Sequence, residues 1–261
     1  MAILERHDAG AVAHLTLNSP ANLNALSDAM LAGLGHTFAA LETDTAIRVI
    51  VISGAGKAFC AGHDLRELSE KRQAADGGAA ALRDLFDRCA RVMQAIARLP
   101  QPVIAQVHGI ATAAGCQLVA SCDLAIAAND TRFGVNGVDV GLFCSTPMVA
   151  LSRNIPRKQA FEMLTTGGFI TAHRAAELGL INRAVPGETL AAETRALAET
   201  VAAKLGSAVT IGKRAFYEQL EMPLAQAYAH TGAAMVQNMA HPDTAEGIAA
   251  FLQKRPPRRV Q

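Results

Sequence analysis

A turn of small residues between a strand and a helix is the feature that most constrains how this chain folds. It lies in the segment VIAQVHGIATAAGCQL at 103–118, where the mostly apolar run 103–107 leads into the small residues at 111–115 and then into an apolar helix. A turn of this kind leaves backbone N–H groups without partners at the helix N-terminus, where they can bind an anion. The segment therefore predicts a strand–turn–helix unit that supports a binding site.

A second segment, SGAGKAFCAGHDL at 53–65, has the same design. The apolar strand IRVIVIS at 47–53 leads into it, a glycine-rich turn follows, and Asp64 is placed to cap the next helix. If the two turns face each other, one N–H group from each can point at the same oxygen atom. The alternative is that both turns are ordinary tight connections between a strand and a helix.

Composition excludes several classes of function. The formal net charge is +1 and tryptophan is absent, so the chain is not expected to bind nucleic acid or a membrane surface. No apolar run approaches the roughly 20 residues of a membrane-spanning helix. The N-terminus resembles neither a secretory signal nor a transit peptide, and the five cysteines include no CxxC motif. These features predict a cytoplasmic protein with reduced thiols, and no metal site is expected.

Hydrophobic periodicity predicts a covered sheet in the first part of the chain. Residues 11–18 alternate like a half-buried strand, whereas 47–53 and 103–107 are apolar runs typical of a sheet covered on both faces. Ser27 is placed to cap a helix with an apolar stripe, and another strand is expected at 123–128.

The second part of the chain is predicted to be mainly helical. The expected helices are 146–153, 157–165, 172–178, 187–205, 207–220, 223–240 and 243–253. The boundary between an α/β core and a helical C-terminal region is placed near 195–200. In the first part, the segment AADGGAA at 74–80 is predicted to be a mobile loop over a site.

Several motifs together resemble the crotonase superfamily, the enoyl-CoA hydratase/isomerase family. The resemblance rests mainly on the pair GKAFCAGHDL and HGIATAAGCQLVASCDLAIA, and the segments NALS, TTGGFITAHRAAELGLINRAV and AFLQKRPP fit further signatures. The run GLFCSTP followed by IPRKQAFEML is similar to one branch, the enoyl-CoA hydratase domain-containing protein 3 group. The match extends over nearly the whole chain.

The resemblance implies an α/β fold of the ClpP/crotonase type, built from repeated ββα units. It implies a core over residues 1–197 and a helical trimerisation region over 198–261, in a homotrimer or a dimer of trimers. It implies an acyl-CoA substrate, with coenzyme A as the thioester carrier and no other cofactor. The thioester oxygen would accept hydrogen bonds from the backbone N–H groups of His63 and Ala114.

The resemblance also implies contacts to coenzyme A. The residues concerned belong to the two turns and to the C-terminal signature: Lys57, Ala61, Gly62, Asp64, Leu65, Gly115, Lys254 and Arg255. The basic pair at 254–255 could equally be a solvated tail. The His63 side chain either lines the pocket or acts on the substrate, and His108 is expected to be structural.

The chain departs from the family pattern at both acids used by its hydratases. Gln117 stands where the G-C-E motif has glutamate, and Gly137 ends FGVNG where F-G-x-P-E has the second glutamate. Glutamine can orient water but cannot exchange a proton near pH 7, and glycine is expected to leave only space. Because acid–base assistance is typically worth about 10²–10⁴-fold per group, the sequence predicts weak hydratase activity.

Three replacements for the missing acids are considered. If 137–141 were extended, Asp139 would face the same side as Gly137 and could act as acid or base. Cys144 precedes a helix start, where a thiol can have a lowered pKa and attack a thioester, although it could also be a packing residue. Gly137 is similar to the glycine of the naphthoate-synthase branch, which leaves room for bicarbonate, but Val135 replaces that branch's glutamine.

Three functions remain open at this point. The first is an enzyme of hydratase/isomerase type, a lyase or isomerase that works through a thioester enolate. In it, Gln117 and Gly137 would position water or substrate, and Asp139 would be the acid or base. The second is a non-catalytic acyl-CoA-binding protein that kept the fold and lost the acids. The third is a thioesterase or decarboxylase in which the two N–H groups supply most of the effect.

Overall fold

The computed structural model describes residues 2–256, which form two β-sheets surrounded by helices. The strands are β1 (Leu4–Ala9), β2 (Val12–Leu17), β3 (Val49–Gly54), β4 (Val103–Val107), β5 (Ile110–Thr112), β6 (Leu124–Ala128), β7 (Arg132–Gly134), β8 (Ile170–Thr171) and β9 (Arg183–Val185). The α-helices are α1 (Asp28–Glu42), α2 (Leu65–Lys71), α3 (Ala79–Arg98), α4 (Ala114–Ser121), α5 (Pro147–Asn154), α6 (Arg157–Thr166), α7 (Ala172–Leu178), α8 (Leu190–Ala202), α9 (Gly206–Gln219), α10 (Leu224–Met239) and α11 (Pro242–Leu252). Short 3-10 helices occupy Pro20–Asn22, Asn136–Val140 and Gly187–Thr189.

The larger sheet has the order β1-β2-β3-β4-β6-β9 and is parallel apart from β1, which pairs antiparallel with β2. Its central strands are covered on both faces. In β3, Ile50 and Ile52 face the main core, whereas Val49 and Val51 face a second cluster that includes Ala198 of α8. The prediction of a sheet covered on both faces is confirmed, because alternate side chains of one apolar run enter different cores.

Two ββα units follow each other along the chain. After β4 in the larger sheet, the chain enters the smaller sheet as β5 and then forms α4. β6 and β7 repeat this path, and α5 follows after the 3-10 helix Asn136–Val140. The expected architecture of repeated ββα units is confirmed, and it places the turn before α4 where the two sheets meet.

α1 begins where the sequence predicts. The Ser27 hydroxyl oxygen accepts a hydrogen bond from the Met30 N–H at 3.2 Å, which satisfies one of the unpaired donors of the first turn. The predicted apolar stripe is buried against the sheet and consists of Met30, Leu31, Leu34, Phe38 and Leu41.

The loop prediction for 74–80 is wrong in part, because residues 79 and 80 already belong to α3. The Asp76 carboxylate accepts hydrogen bonds from the N–H groups of Ala80 (3.0 Å) and Gly78 (2.9 Å), and these bonds lower its pKa. A Cβ at Gly78 would lie 2.4 Å from the Lys71 carbonyl oxygen, so the turn packs closely on the end of α2. The segment is a capped turn between two helices, and its mobility stays a prediction.

The predicted boundary at 197/198 falls inside α8, which is one continuous helix. Ala198 is fully buried against Val49, Val51 and Ile104 of the larger sheet. α8 therefore belongs to the core, and the C-terminal region begins with α9. The pattern could not place this boundary, because the chain is helical on both sides of it. Residues 257–261 of the predicted trimerisation region lie outside the described residues.

α9 is held to the core of its own chain by a buried ion pair. Lys213 Nζ donates to Asp123 Oδ2 at 2.7 Å and to the carbonyl oxygens of Ile96 (2.7 Å) and Gln101 (2.8 Å). The Tyr217 hydroxyl donates to Asp123 Oδ1 at 2.7 Å. Burial lowers the pKa of Lys213 and raises that of Tyr217. This network fixes where α9 sits, and with it the start of the C-terminal region.

The last two helices expose large apolar side chains. Between 57 and 83% of the surface of each is exposed for Leu224, Tyr228, Met235, Val236, Met239, Phe251 and Leu252. These helices are nevertheless short and interrupted by polar residues. Among the described residues, no helix combines the length and the apolar character needed to cross a membrane.

Candidate active site

The two predicted turns lie side by side. Cys60 pairs with Ala111 in a parallel bridge, in which the Cys60 N–H donates to Ile110 O at 3.1 Å and Cys60 O accepts from the Thr112 N–H at 3.1 Å. This pairing carries the chain from residue 60 along the strand that leads into α4. The expectation that the two turns face each other is therefore met by backbone hydrogen bonds.

Two glycines allow the backbones of the turns to approach each other. Gly62 has a φ of +92°, and a Cβ there would lie 2.9 Å from the Ala113 Cβ and 3.2 Å from the Ala114 nitrogen. A Cβ at Gly115 would lie 2.1 Å from the Cys60 carbonyl oxygen. Since neither position has room for a side chain, both glycines are required for this geometry.

Ala113 holds the second turn in a strained conformation. Its φ is +49° and its ψ is −120°, a region that residues with a side chain rarely adopt. Its N–H donates to Gly134 O at 2.9 Å, and its carbonyl oxygen accepts from the Gln117 N–H at 3.0 Å. These two bonds anchor the residue from both sides and set the direction of the next N–H, that of Ala114.

The N–H groups of His63 and Ala114 are the donors that this arrangement presents. Within residues 2–256, neither group donates a hydrogen bond to another part of the protein. The Ala114 N–H also lies in the first turn of α4, where the partial positive charge of the helix favours an anion. The pair can therefore stabilise negative charge that develops on one oxygen atom.

The His63 imidazole is oriented by a backbone carbonyl. Nδ1 lies 3.2 Å from Leu26 O, so the Nδ1–H donates and Nε2 keeps its lone pair. The ring packs edge-to-face on Phe86 of α3, with 5.6 Å between ring centroids. Nε2 is buried and has no hydrogen-bond partner. Burial lowers the pKa of His63, so the imidazole is neutral at pH 7.

Gln117 lies one turn of α4 beyond Ala114. Its side chain is buried, with 5% of the residue exposed, and Oε1 has no hydrogen-bond partner. A buried amide oxygen without a donor can accept a hydrogen bond from a ligand or a water molecule. The amide is neither an acid nor a base near pH 7, so Gln117 cannot replace a catalytic glutamate.

Gly137 does not leave the space that the sequence suggested. A Cβ at this position would lie 2.3 Å from Leu142 O and 2.8 Å from the Cys144 sulfur. The place where the family's glutamate side chain would start is therefore filled by the chain that returns from the 3-10 helix. This corrects the prediction of room for water, substrate or bicarbonate at residue 137.

Asp139 does not face the same side as Gly137, as it would if residues 137–141 were extended. Residues Asn136–Val140 form a 3-10 helix, so Gly137 and Asp139 do not share a face as alternate residues of a strand would. The carboxylate lies beside Gly167 at the end of α6, since a Cβ there would be 2.8 Å from Asp139 Oδ1. The geometric argument for Asp139 as acid or base is wrong.

Cys144 is a buried packing residue with a protonated thiol. Burial raises its pKa, although the nearby Gly137 N–H partly opposes this. The helix after it starts only at Pro147, so the sulfur gains little from the helix N-terminus. Of the two alternatives for Cys144, the thiol with a lowered pKa is therefore contradicted and the packing residue agrees with the structure, which removes the argument for a nucleophilic thiolate.

The residues expected at coenzyme A fall into two separate groups. Near the first turn, Lys57 and Leu65 are exposed, Ala61 N–H donates to Leu23 O at 3.0 Å, and Asp64 caps α2 through the Arg66 N–H at 2.9 Å. Gly62 and Gly115 shape the turns as described above.

The C-terminal pair lies just beyond α11. Lys254 is exposed, whereas the Arg255 guanidinium donates to the two carboxylate oxygens of Glu246 at 2.5 and 3.0 Å. Within residues 2–256 no contact joins this pair to the first turn. Arg255 is therefore paired with a residue of the preceding helix, and the role of both residues at coenzyme A stays a prediction.

Asn24 supports the site without a role having been predicted for it. It is fully buried, its Oδ1 accepts from the Ser19 N–H at 2.9 Å, and its Nδ2 donates to Ala55 O and Ala58 O at 2.8 Å each. It therefore ties the NALS segment to the glycine-rich turn. The asparagine of the NALS segment was the available signal for this role, although the segment was taken only as part of the family resemblance.

Asn136 is a second residue that sequence reasoning missed. Its Oδ1 accepts from the Thr112 hydroxyl at 2.6 Å, which joins the 3-10 helix to the strand before Ala113. It stands at the proline of the F-G-x-P-E pattern, so the departure from that pattern was the available signal. Elsewhere, the described residues bring together no group of three or more His, Cys, Asp or Glu side chains that could hold a metal ion.

Comparison with known proteins finds relatives over nearly the whole chain. Residues 7–260 match the model of the enoyl-CoA hydratase/isomerase family. The chain is 46% identical over 246 residues to the mitochondrial enoyl-CoA hydratase domain-containing protein 3 of Xenopus laevis, covering 94% of this chain and 82% of the relative.

Two solved structures are also similar over almost their whole length. The enoyl-CoA hydratase of Mycobacterium smegmatis has a TM-score of 0.94 and 52% identity, with 98% of each chain covered. The human enoyl-CoA hydratase domain-containing protein 3 has a TM-score of 0.94 and 44% identity, with 98% of this chain and 99% of that chain covered. With the family model and these relatives in agreement, the chain belongs to the enoyl-CoA hydratase/isomerase family and has the crotonase fold.

Proposed function

We propose that this chain binds an acyl-CoA thioester and stabilises its enolate with the backbone N–H groups of His63 and Ala114. The single observation behind the proposal is that these two donors lie on adjacent turns and have no acceptor within the described protein. A thioester oxygen that gains negative charge would accept from both. Each donor of this kind contributes roughly 3–4 kcal/mol to lowering a barrier.

The proposed chemistry is of hydratase/isomerase type, but the rate of water addition is expected to be low. Gln117 cannot exchange a proton near pH 7, and the side-chain space at Gly137 is filled by Leu142 O. Losing two acid–base groups removes about 10²–10⁴-fold in rate for each. A reaction that needs only enolate formation and return of a proton therefore fits this site better than hydration.

Binding and turnover can be measured together. We expect the wild-type protein to bind butyryl-CoA in calorimetry and to hydrate crotonyl-CoA at least about 100-fold more slowly than the median enzyme rate of ~10 s⁻¹. Gly62→Ala should weaken butyryl-CoA binding strongly, because the new Cβ would lie 3.2 Å from the Ala114 nitrogen. Gly35→Ala in α1 is the matched control, since a Cβ there meets no atom within 4 Å.

Two outcomes would contradict the proposal. A wild-type protein that binds no acyl-CoA would remove the thioester site altogether. Fast crotonyl-CoA hydration, within about tenfold of ~10 s⁻¹, would show that another group has replaced both acids.

Lys57→Ala tests the first-turn contact to coenzyme A, and a reduced affinity for coenzyme A itself is expected. No further cofactor is proposed.

We also propose that the C-terminal helices assemble the chain into a homotrimer or a dimer of trimers. The exposed apolar side chains of α10 and α11 support this, because stable proteins rarely leave this many large apolar side chains of neighbouring helices in water. The occupant proposed is a second copy of this chain. Sedimentation velocity tests it, and a monomer that persists at high protein concentration would refute it.

The compartment stays a prediction. The Xenopus laevis relative is named as mitochondrial, whereas the sequence predicted a cytoplasmic protein. The five buried, unpaired cysteines fit either reducing compartment. Fractionation of cells that express the native chain would decide between them.

A further inference from the structure

We infer that the His63 imidazole is the general base of this site and that its Nε2 removes a proton from the carbon next to the thioester carbonyl. The inference rests on the proposed function, because it needs an acyl-CoA held by the two backbone donors. It gives one residue two separate parts, a backbone N–H that holds the oxygen and a side chain that accepts the proton.

The geometry prepares Nε2 as an acceptor. The Nδ1–H is engaged by Leu26 O at 3.2 Å, which fixes the tautomer and the ring orientation, as the orienting group does for catalytic histidines in general. Nε2 then carries the lone pair and is buried without a donor. A buried acceptor left without a partner costs stability, so a site that keeps one needs a reason for it.

Elimination also leads to His63. Gln117 is neither an acid nor a base near neutral pH, and residue 137 is glycine with its side-chain space filled. The Asp139 carboxylate lies beside Gly167, and burial keeps the Cys144 thiol protonated. Of the titratable side chains considered at this site, His63 alone combines a free lone pair with neutrality at pH 7.

The proton and electron balance is simple. The bond between the substrate Cα and its hydrogen breaks, and the hydrogen passes to Nε2 as a proton. The electron pair moves to the thioester oxygen, where the N–H groups of His63 and Ala114 stabilise the negative charge. The imidazolium then returns the proton to the carbon skeleton, at Cα for simple exchange or at Cγ for migration of a double bond. No oxidant, reductant or metal takes part.

The surroundings of the ring are compatible with this role. Phe86, which packs edge-to-face on the ring, is itself 36% exposed, so the imidazole lies next to a side chain that reaches the surface. The charged group that acts on the ring is Asp28 of α1, which is paired with Lys71 of α2 and Arg88 of α3. The Asp28 carboxylate raises the pKa of the imidazole, but burial is the larger effect and the net pKa is lowered.

The test is exchange of the Cα hydrogens of butyryl-CoA in D₂O, followed by mass spectrometry, with butyryl-CoA affinity measured in parallel. We expect exchange in the wild-type protein, with a rate that rises through a pKa lower than the ordinary value for histidine and is then level. His63→Ala keeps the backbone N–H and should slow exchange about 100-fold or more while changing affinity little. Added imidazole should restore part of the rate, which a purely structural role would not allow.

Two further variants distinguish loss of the imidazole lone pair from other effects of substitution. His63→Asn keeps a side-chain donor for Leu26 O but has no imidazole lone pair, so it should lose exchange as His63→Ala does. His36→Gln, on the exposed side of α1, is the matched control and should exchange at the wild-type rate. The pH dependence should disappear in both His63 variants and persist in the control.

The outcomes separate this inference from the proposed function. Butyryl-CoA binding without any exchange by the wild-type protein overturns the base and leaves the thioester site in place. Exchange by His63→Ala within about threefold of wild type also overturns it, since removal of a general base is worth about 10²–10⁴-fold. Absence of butyryl-CoA binding overturns both the proposed function and the inference.

Discussion

Lys213→Met is expected to destabilise the protein by about 3–5 kcal/mol, because it breaks a buried ion pair. The ammonium has three N–H bonds, and all are used, by Asp123 Oδ2 and by the carbonyl oxygens of Ile96 and Gln101. Only 6% of the Lys213 side chain and 12% of the Asp123 side chain are exposed, so water cannot easily replace these bonds. Methionine has a similar length, so the loss is mainly electrostatic and not a cavity effect.

A double-mutant cycle measures the interaction energy between Lys213 and Asp123 apart from the contributions of their other neighbours. After Lys213→Met, the Asp123 carboxylate keeps the hydrogen bonds from the Val103 N–H (2.6 Å) and the Tyr217 hydroxyl (2.7 Å) but loses its buried cationic partner. Asp123→Asn leaves the opposite charge without its partner and should cost a similar amount. The double variant removes both charges, so it should lose less than the sum of the single losses. An interaction energy of about 1–3 kcal/mol is expected.

Urea unfolding followed by circular dichroism at fixed protein concentration measures these differences. Lys158→Met on the exposed surface of α6 is the matched control and should change the free energy of unfolding by no more than about 0.5 kcal/mol. The reasoning is refuted if Lys213→Met costs less than about 1 kcal/mol, or if the two single losses simply add in the double variant.

Two other changes test the site and the acid response. Gly137→Glu is not expected to restore crotonyl-CoA hydration, because its Cβ would lie 2.3 Å from Leu142 O; a gain in turnover of tenfold or more would contradict the crowding at that position. Burial pushes the pKa of Asp28 up, but hydrogen bonds from Lys71 and Arg88 outweigh it, and the net pKa is lowered. Its stabilising effect should therefore be present above the ordinary aspartate pKa and lost as the pH falls through the lowered value. Asp28→Asn should flatten the acid limb of a plot of stability against pH, and an unchanged limb would exclude Asp28 as its cause.

The local parts of the fold could be predicted because they depend on short stretches of sequence. Ser27 and the stripe after it define α1, and the apolar run of β3 defines a covered strand. The two turns were found in the same way, through small residues between a strand and a helix. Their facing each other followed only from the family resemblance, since the bridge between Cys60 and Ala111 joins residues far apart in the chain.

α3 was missed although its signal was present. Leu85, Cys89, Val92 and Ile96 recur at helical spacing and are all buried. The glycines at 77 and 78 drew attention to a loop instead, and the capping by Asp76 that turns this loop into a helix start is a detail of side-chain geometry. The short strands of the smaller sheet were missed because two or three residues carry no measurable alternation.

The predicted site residues fall into two groups, those considered for their backbone N–H groups and those considered for their side-chain surroundings. The turns that carry His63 and Ala114 could be located from the sequence, because they depend on small residues and not on the identity of a catalytic side chain; the role of the two backbone N–H groups stays a proposal. Gly137 and Asp139 were misjudged because their surroundings depend on how residues 136–144 return towards α4, which no periodicity reveals.

This division explains how the chemistry of such a site can change while the fold persists. The backbone donors do not depend on the side chains of the residues that carry them, whereas Gly62 and Gly115 set the approach of the turns. The proton-transfer groups are side chains and can be replaced one at a time, as Gln117 and residue 137 have been. A base at His63 would need no new loop or helix, because the same residue supplies one of the two backbone donors of the proposed thioester site.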